Sequence, residues 1–330
     1  MTSHDADYYA TGVMARDRRI LAKTITVVES SLPAHQELSQ KIMDLLLPLT
    51  GRAVRLGITG VPGVGKSTFI ESLGMFLVRE GKRLAILAVD PSSSRSGGSI
   101  LADKTRMEAL AREQNAYIRP SPSGGALGGV ARKTRETMLV CEAAGYDVVI
   151  VETVGVGQSE TLVASMVDFF LVLMLAGAGD ELQGIKKGIM ELADAVVINK
   201  ADGDNLDKAR RARKEYENAL HLLRPVSNLW KPPVLACSSL DRTGIPEVWQ
   251  TVCEHNRRMT AAGELTVRRR RQAVAWMWAL VEEGLRERFQ RHPRVRSRLS
   301  AILQAVEKGE TAPTAAAGRL LFLLDNPESI

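Results

Sequence analysis

The stretch "GITGVPGVGKSTFIESLG", residues 57–74, contains residue types that can bind phosphate. Gly60, Gly65, Lys66 and Ser67 fill the pattern G-x-x-x-x-G-K-[ST], between an apolar run and an amphipathic helical segment. In such a turn the backbone N–H groups and the helix N-terminus point at phosphate oxygens. Lys66 would neutralise the β- and γ-phosphates, and the Ser67 hydroxyl would bind Mg²⁺. We predict that the phosphate loop comprises Gly60, Val61, Pro62, Gly63, Val64, Gly65, Lys66, Ser67 and Thr68.

Three acidic residues are candidates for the metal at this site. Asp90 ends the apolar run "LAILAVD", Glu152 ends "DVVIVE", and Asp103 lies in "GGSILADKTRM". An acid directly after a buried strand faces the crevice mouth, where it can hold Mg²⁺ or its waters. By spacing alone, Asp103 fits a solvated surface acid equally well. We expect Ser67, Asp90, Asp103 and Glu152 to form the metal site, and Lys66, Asp90 and Gln158 to act in catalysis.

A second motif, "VVINKAD", predicts which base is bound. The carboxylate of Asp202 can accept hydrogen bonds from N1–H and the exocyclic amine of guanine, whereas adenine would leave it unpaired. Such a loss costs about 1.5–3 kcal/mol. The stem of Lys200 can cover one face of the base, and Asn199 can hold the loop in place. A following run, "LACSSLD", offers further contacts from Ser238, Ser239 and Leu240. We therefore predict GTP rather than ATP.

Two loops are candidates for reporting the state of the nucleotide. In "TVGVGQSE" Gly155 allows a backbone amide to turn toward the γ-phosphate, and Gln158 could orient a water molecule. The segment "AGAGDELQGIKKG" carries Gln183, Lys186 and Lys187 toward its C-terminal end. An ordinary long connection without a signalling role could have the same composition. Loops of this kind order and disorder with the nucleotide. By spacing, no arginine in these two loops is an obvious catalytic arginine finger, so we expect slow hydrolysis that a partner stimulates.

Composition narrows the class of protein. The chain has 330 residues, 45% hydrophobic and 25% charged, as in an ordinary globular protein. Its three cysteines form no CxxC pair, which argues against a disulfide framework or zinc knuckle. The N-terminus lacks a secretory signal, and the most apolar run, from Asp168, is shorter than the roughly 20 residues of a membrane span. We expect a cytoplasmic protein without a membrane partner.

The net charge of +6 is concentrated in arginine-rich runs, among them residues 210–214 and 268–271. These runs lack interleaved aromatic residues and match no nucleic-acid-binding module. We interpret them as solvated helix faces and a partner-docking surface, and expect no nucleic-acid partner.

The order of apolar runs predicts the architecture. Residues 8–49 are predicted to be helical, residues 55–259 alternate short apolar runs with helical segments, and the strand pattern ends after Gly263. Unbroken apolar runs are typical of parallel strands buried on both faces. The prediction is a doubly wound α/β domain with a mainly parallel sheet at residues 51–262, a helical extension at 1–50 and a helical region at 263–330. The last region has a wide apolar face, and we expect it to form a homodimer. Seven strands are predicted, at 55–59, 83–89, 116–120, 147–152, 169–175, 195–199 and 234–237.

The chain resembles a known family over roughly residues 10–325. Five segments carry the likeness: "GITGVPGVGKST", "VDPSSSRSGGSILADKTRM", "ETVGVGQSE", "LAGAGDELQGIKKGIMELAD" and "NKAD". These resemble the methylmalonyl-CoA mutase-associated GTPases of the MeaB/ArgK type, P-loop GTPases that escort adenosylcobalamin-dependent acyl-CoA mutases.

The resemblance implies properties that the residues alone do not. It implies a SIMIBI-like P-loop GTPase that uses GTP, GDP and Mg²⁺ and forms homodimers through C-terminal helices. It also implies a chaperone that gates adenosylcobalamin loading into methylmalonyl-CoA mutase and protects that enzyme, with its adenosyltransferase as a second expected partner. Asp90, Asp103 and Glu152 match metal-site acids, and residues 183–187 match the loop that signals to the mutase.

Other functions compete with this one. A metal-insertion GTPase usually carries His-rich tracts or Cys/His clusters, whereas the five histidines here are scattered. A kinase of a transport system, the older ArgK description, needs a site for a second substrate, and the N-K-x-D motif argues against ATP. A nucleotide-sensing scaffold with incidental hydrolysis remains compatible with the sequence.

Overall fold

The computed structural model describes residues 4–89, 107–120, 127–153, 159–177, 187–222 and 229–325. The chain divides into two compact units, Met1–Gln272 and Ala273–Ile330. The first unit contains the sheet, and the second is helical.

Seven strands form one sheet in the order β3-β2-β4-β1-β5-β6-β7, and every strand pair in it is parallel. The strands are made almost entirely of buried apolar residues, as expected when helices cover both faces of the sheet. The predicted α/β class and parallel sheet are confirmed. The strands are β1 (Val54–Gly60), β2 (Leu84–Val89), β3 (Ala116–Arg119), β4 (Val148–Thr153), β5 (Phe169–Leu175), β6 (Ala195–Asn199) and β7 (Val234–Ala236).

The N-terminal helices of the first unit precede β1, and its later helices alternate with the strands. They are α1 (Ala6–Met14), α2 (Arg18–Val28), α3 (Pro33–Leu46), α4 (Lys66–Arg79), α5 (Glu108–Ala111), α6 (Leu127–Ala143), α7 (Ser159–Ala164), α8 (Lys187–Leu192), α9 (Leu206–Leu222) and α10 (Ile245–Ala261). Three further helices follow: α11 (Glu264–Arg291), which begins in the first unit, then α12 (Pro293–Glu307) and α13 (Pro313–Asp325).

Each face of the sheet carries its own core. On one face α4 contributes Phe69, Ile70 and Leu73, which pack with Leu56 and Ile58 of β1. On the other face the N-terminal helices supply residues such as Ile25 and Ile42, which share a cluster with Val149 of β4. The two cores hold the sheet from both sides, so the loops at the strand ends start from fixed positions.

The second unit exposes apolar side chains along α11. Val274, Met277, Trp278, Val281 and Leu285 expose between 42% and 58% of their surface. Among the described helices, none is both long enough and apolar enough to cross a membrane.

Candidate nucleotide-binding site

The phosphate loop connects β1, which ends at Gly60, to α4, which begins at Lys66. Gly63 and Gly65 adopt φ angles of 75° and 88°, in the left-handed region that glycine enters without strain. At Gly60 the constraint is space, because an added Cβ would lie 2.5 Å from the backbone oxygen of Leu173. These glycines let the loop turn tightly at the carboxyl edge of the sheet.

Lys66 lies folded over this loop. Its Nζ donates to the backbone oxygen of Gly60 at 2.7 Å and to that of Val61 at 3.3 Å. Burial lowers the pKa of the Lys66 ammonium, while the carboxylates of Glu152 and Glu160 act in the opposite direction. A cation held by neutral carbonyls, beside the first N–H groups of α4, is suited to bind an anion such as phosphate.

Asn199 links the phosphate loop to the loop after β7. Its Nδ2 donates to the backbone oxygen of Val64 at 2.8 Å, and its Oδ1 accepts from the Ser239 hydroxyl at 2.7 Å and the Ser239 N–H at 3.2 Å. These hydrogen bonds join the two loops through one side chain. Ser72 of α4 adds a second link by donating its hydroxyl to the backbone oxygen of Ser239.

Asp202 and Lys200 lie on the turn after β6. Ser238 donates its hydroxyl to Oδ2 of Asp202 and accepts the N–H of Asp241 at 3.0 Å, so the carboxylate has a defined orientation. Lys200 has a φ angle of 58°, and its Cε would lie 3.8 Å from a Cβ on Gly65. The lysine stem therefore runs beside the phosphate loop, where it can cover a base. Leu240 is 77% exposed.

Glu152 lies at the end of β4, in register with Ile58 of β1, and is 3% exposed. Its carboxylate acts electrostatically on Lys66, as expected for an acid at the mouth of the same crevice. Ser67, the other described member of the expected metal site, is half-buried in the first turn of α4. A carboxylate and a hydroxyl are oxygen donors that Mg²⁺ accepts.

Sequence reasoning overlooked Glu160. It lies in the first turn of α7, is 2% exposed and acts on Lys66 together with Glu152. Its position in "GQSE" is consistent with the first turn of a helix, where an acidic side chain is stabilised by the helix dipole. Nothing in the sequence indicated that this side chain would be buried.

Several predicted residues lie outside the described residues, namely Asp90, Asp103, Gly155, Gln158, Gln183 and Lys186. Lys187 begins α8, and its side chain is not among those described. Their assigned roles stay predictions. Within the described part of the chain, no group of three or more His, Cys, Asp or Glu side chains could hold a metal ion.

A cavity of 1010 Å³ lies at the opposite, amino edge of the sheet, where β6 and β7 begin. Apolar residues such as Met190, Trp230 and Leu265 line much of it. Two ion pairs lie in its lining, because Arg268 contacts Asp194 at 3.1 Å and Arg213 contacts Glu217 at 2.9 Å. The glycine-rich loop, Lys66, Asn199 and Asp202 all lie at the carboxyl edge, where open α/β sheets bind ligands, so the nucleotide site is assigned to that edge.

The fold and the site together define a P-loop GTPase. The family model described as "Methylmalonyl Co-A mutase-associated GTPase MeaB" matches residues 21–294. The chain belongs to this family, and it is a GTPase.

Individual relatives agree with this assignment. The chain is 56% identical over 267 residues to the GTPase ArgK of Escherichia coli, covering 81% of each chain. It is 48% identical over 325 residues to the mitochondrial methylmalonic aciduria type A homolog of Mus musculus, covering 96% of this chain and 78% of the mouse protein. A crystal structure of a LAO/AO transport system kinase superposes with a TM-score of 0.78 at 42% identity, over 99% of this chain and 100% of that one.

Proposed function

We propose that this GTPase is a chaperone of methylmalonyl-CoA mutase, in which GTP binding and hydrolysis gate adenosylcobalamin loading and protect the mutase. The family description carries the proposal, because it names the mutase as the associated enzyme and covers most of the chain. The mouse relative, named for methylmalonic aciduria, supports it.

The site fits a switch better than a transferase. Asn199 ties the phosphate loop to the loop after β7, and Ser238 orients Asp202, so one nucleotide would contact three connected loops. Binding energy spread over loops in this way can be converted into a conformational signal to a partner. We place Mg²⁺ at Ser67 and Glu152, with Asp90 and Asp103 as the further acids.

We also propose a cytoplasmic homodimer formed through the C-terminal helices. The exposed apolar side chains of α11, including Met277, Trp278 and Leu285, support this. An exposed apolar face of this kind is typical of an interaction site.

The test is addition of purified methylmalonyl-CoA mutase to the GTPase. We expect the two proteins to co-elute on gel filtration and the rate of GTP hydrolysis to rise at saturating mutase. The Lys66→Ala variant, whose rate of GTP hydrolysis we expect to fall steeply, separates complex formation from turnover. Absence of both co-elution and stimulation contradicts the chaperone function and leaves the GTPase assignment standing.

A second candidate is a kinase that acts on a transport system, and the likeness to the LAO/AO transport system kinase favours it. This candidate predicts transfer of the γ-phosphate of GTP to a substrate-binding protein of the transport system. Incubation with γ-labelled GTP would show label on that protein if this candidate is right, and free phosphate alone if the chaperone proposal is right.

A further inference from the structure

Thr59 and Thr153 form a hydroxyl pair between two strands that carry the site. Their Oγ1 atoms lie 2.8 Å apart, and the two side chains are 2% and 0% exposed. Thr59 directly precedes Gly60, whose carbonyl accepts the Lys66 ammonium, and Thr153 directly follows Glu152. One buried hydrogen bond therefore joins the residue next to Gly60 with the residue next to Glu152, and both of these belong to the candidate nucleotide site.

The pair lies where backbone pairing between the strands stops. The register of β1 with β4 ends at Ile58 opposite Glu152, so Thr59 and Thr153 are the next residues along. Beyond Thr59, β1 leads through Gly60 into the phosphate loop. A side-chain bond thus continues the connection one residue past the last backbone pair.

A helix packs on both strands that carry the pair. In α7, which packs on both β1 and β4, Ser159 and Val163 are fully buried. Val163 lies against the backbone of β1, since a Cβ on Gly57 would meet its side chain at 2.9 Å. Water has little access to a hydroxyl pair in such surroundings, and a buried hydrogen bond of this kind restricts both partners.

We infer that the Thr59–Thr153 pair is a positioning device, which fixes Glu152 relative to Gly60 and Lys66 so that the carboxylate can serve the metal. This rests on the proposed role of Glu152 at the Mg²⁺ site. Neither threonine touches nucleotide or metal; both act through the residues beside them. Groups that hydrogen-bond directly to a metal ligand change affinity or activity by about 10–100-fold when they are lost, so an indirect constraint of this kind should act at the lower end of that range.

The test compares Thr153→Val with Thr153→Ser in the full-length protein. Thr153→Val keeps the shape and loses the hydroxyl. It should raise the Mg²⁺ concentration for half-maximal GTPase activity about tenfold and lower kcat by a similar factor. The KM for GTP should change little, because the base and phosphate loops are intact. Thr153→Ser retains the hydroxyl and should recover most of the activity.

Two further variants separate positioning from stability. The double variant Thr59→Val/Thr153→Val leaves no unpaired hydroxyl, so its melting temperature should return toward that of the wild type while the Mg²⁺ requirement stays raised. Thr24→Val is the matched control. Thr24 is 0% exposed and donates to the backbone oxygen of Ile20 within α2, so its loss should lower stability and leave the Mg²⁺ requirement unchanged.

Glu152→Gln distinguishes the possible failures. If it leaves the Mg²⁺ requirement unchanged, both the metal role of Glu152 and the positioning role of the pair are wrong. If Glu152→Gln raises the requirement and Thr153→Val does not, the inference about the threonines alone is overturned. The inference about the threonines is also overturned if Thr24→Val raises the Mg²⁺ requirement as much as Thr153→Val does.

Discussion

The two edges of the sheet both carry charged side chains, among them Asp, Lys and Arg, yet they use the charge differently. At the amino edge Asp168 receives Nε and Nη2 of Arg269 at 2.8 and 2.6 Å and also the N–H of Arg55 at 2.9 Å. At the carboxyl edge Lys66 donates to backbone oxygens and Asp202 accepts from a serine hydroxyl. Among the described residues neither Lys66 nor Asp202 has an ion-pair partner.

The difference teaches how to separate structural charge from functional charge. Asp168 and Asp194 satisfy strand N–H groups and bind Arg269 and Arg268, so their charges are neutralised inside the protein. Lys66 and Asp202 donate to or accept from neutral groups and form no direct ion pair among the described residues, so both can still bind a ligand. The sequence predicts a solvated or partner-docking arginine run at 268–271, but two of its members are structural.

The largest expected effect is on the amino edge, from Arg269→Ala. Asp168 is 1% exposed, so the change leaves a buried carboxylate without its cation. We expect a loss of about 3–5 kcal/mol in the free energy of unfolding. Urea denaturation measures it. Arg270→Ala, at the exposed neighbouring position, should be nearly neutral, and equal effects from the two variants would contradict a structural role for Arg269.

At the carboxyl edge, Lys66→Ala should affect GTP turnover strongly and the free energy of unfolding little. We expect kcat for GTP to fall by about 10²–10³-fold, since a cation aimed at developing phosphate charge is lost. Stability should hardly fall, because burial already disfavours the Lys66 ammonium. Single-turnover hydrolysis and urea denaturation report the two quantities, with Lys208→Ala as the exposed-lysine control. Retained turnover in a clean preparation would refute the phosphate site.

Asp202→Asn probes the base loop with a smaller effect. The amide can still accept from Ser238, but it presents a donor where guanine requires an acceptor. GTP affinity should fall about 10–100-fold, corresponding to about 1.5–3 kcal/mol, and XTP affinity should rise. Titration calorimetry with both nucleotides tests this, and Asp204→Asn on the exposed neighbouring turn is the control. Unchanged affinities for both would remove the guanine assignment.

The smallest expected effect is a pH dependence of stability that comes from His255, near the amino edge. Burial lowers the pKa of His255, which is 1% exposed between Phe169 and Trp230, with Nε2 3.7 Å from Asp194. In the unfolded chain His255 takes up its proton near its ordinary pKa of 6.5, and in the folded protein only at lower pH. Stability is therefore lost as the pH falls from about 6.5 toward the lowered pKa of the folded protein. His255→Phe should weaken this pH dependence and leave GTP turnover unchanged. Identical pH profiles of unfolding for the two proteins would contradict it.

Much of the fold was predictable from the sequence because its strands are unbroken apolar runs. The runs at 169–175 and 195–199 match β5 and β6 at both ends, since burial on both faces leaves no polar residue to blur the pattern. The sequence predicts β7 one residue too long, and β1 extends one residue further at each end than predicted. Strand ends depend on local pairing, which composition does not encode.

The nucleotide motifs were also predictable, because phosphate and guanine demand particular residue types at fixed spacing. Asn199 belongs to one of these motifs, and it donates to the backbone oxygen of Val64 in the other, across 135 positions in the chain. The burial of Glu160 and the pairing of Thr59 with Thr153 did not follow, because each depends on how α7 and β4 pack against β1.

The sequence by itself determined the parallel sheet, the phosphate loop and the preference for guanine, since each has a pattern set by local chemistry. Only the tertiary structure decided which charges remain available. Arg269 and Lys66 are both cations near a strand end, and the difference between them is the partner that folding supplies. For Arg269 that partner is a buried carboxylate in direct ion-pair contact, whereas Lys66 donates to two carbonyls and feels the carboxylates of Glu152 and Glu160 without an ion-pair contact among the described residues. Long-range packing brings each cation to its partner, so no local sequence pattern could reveal which partner it would have.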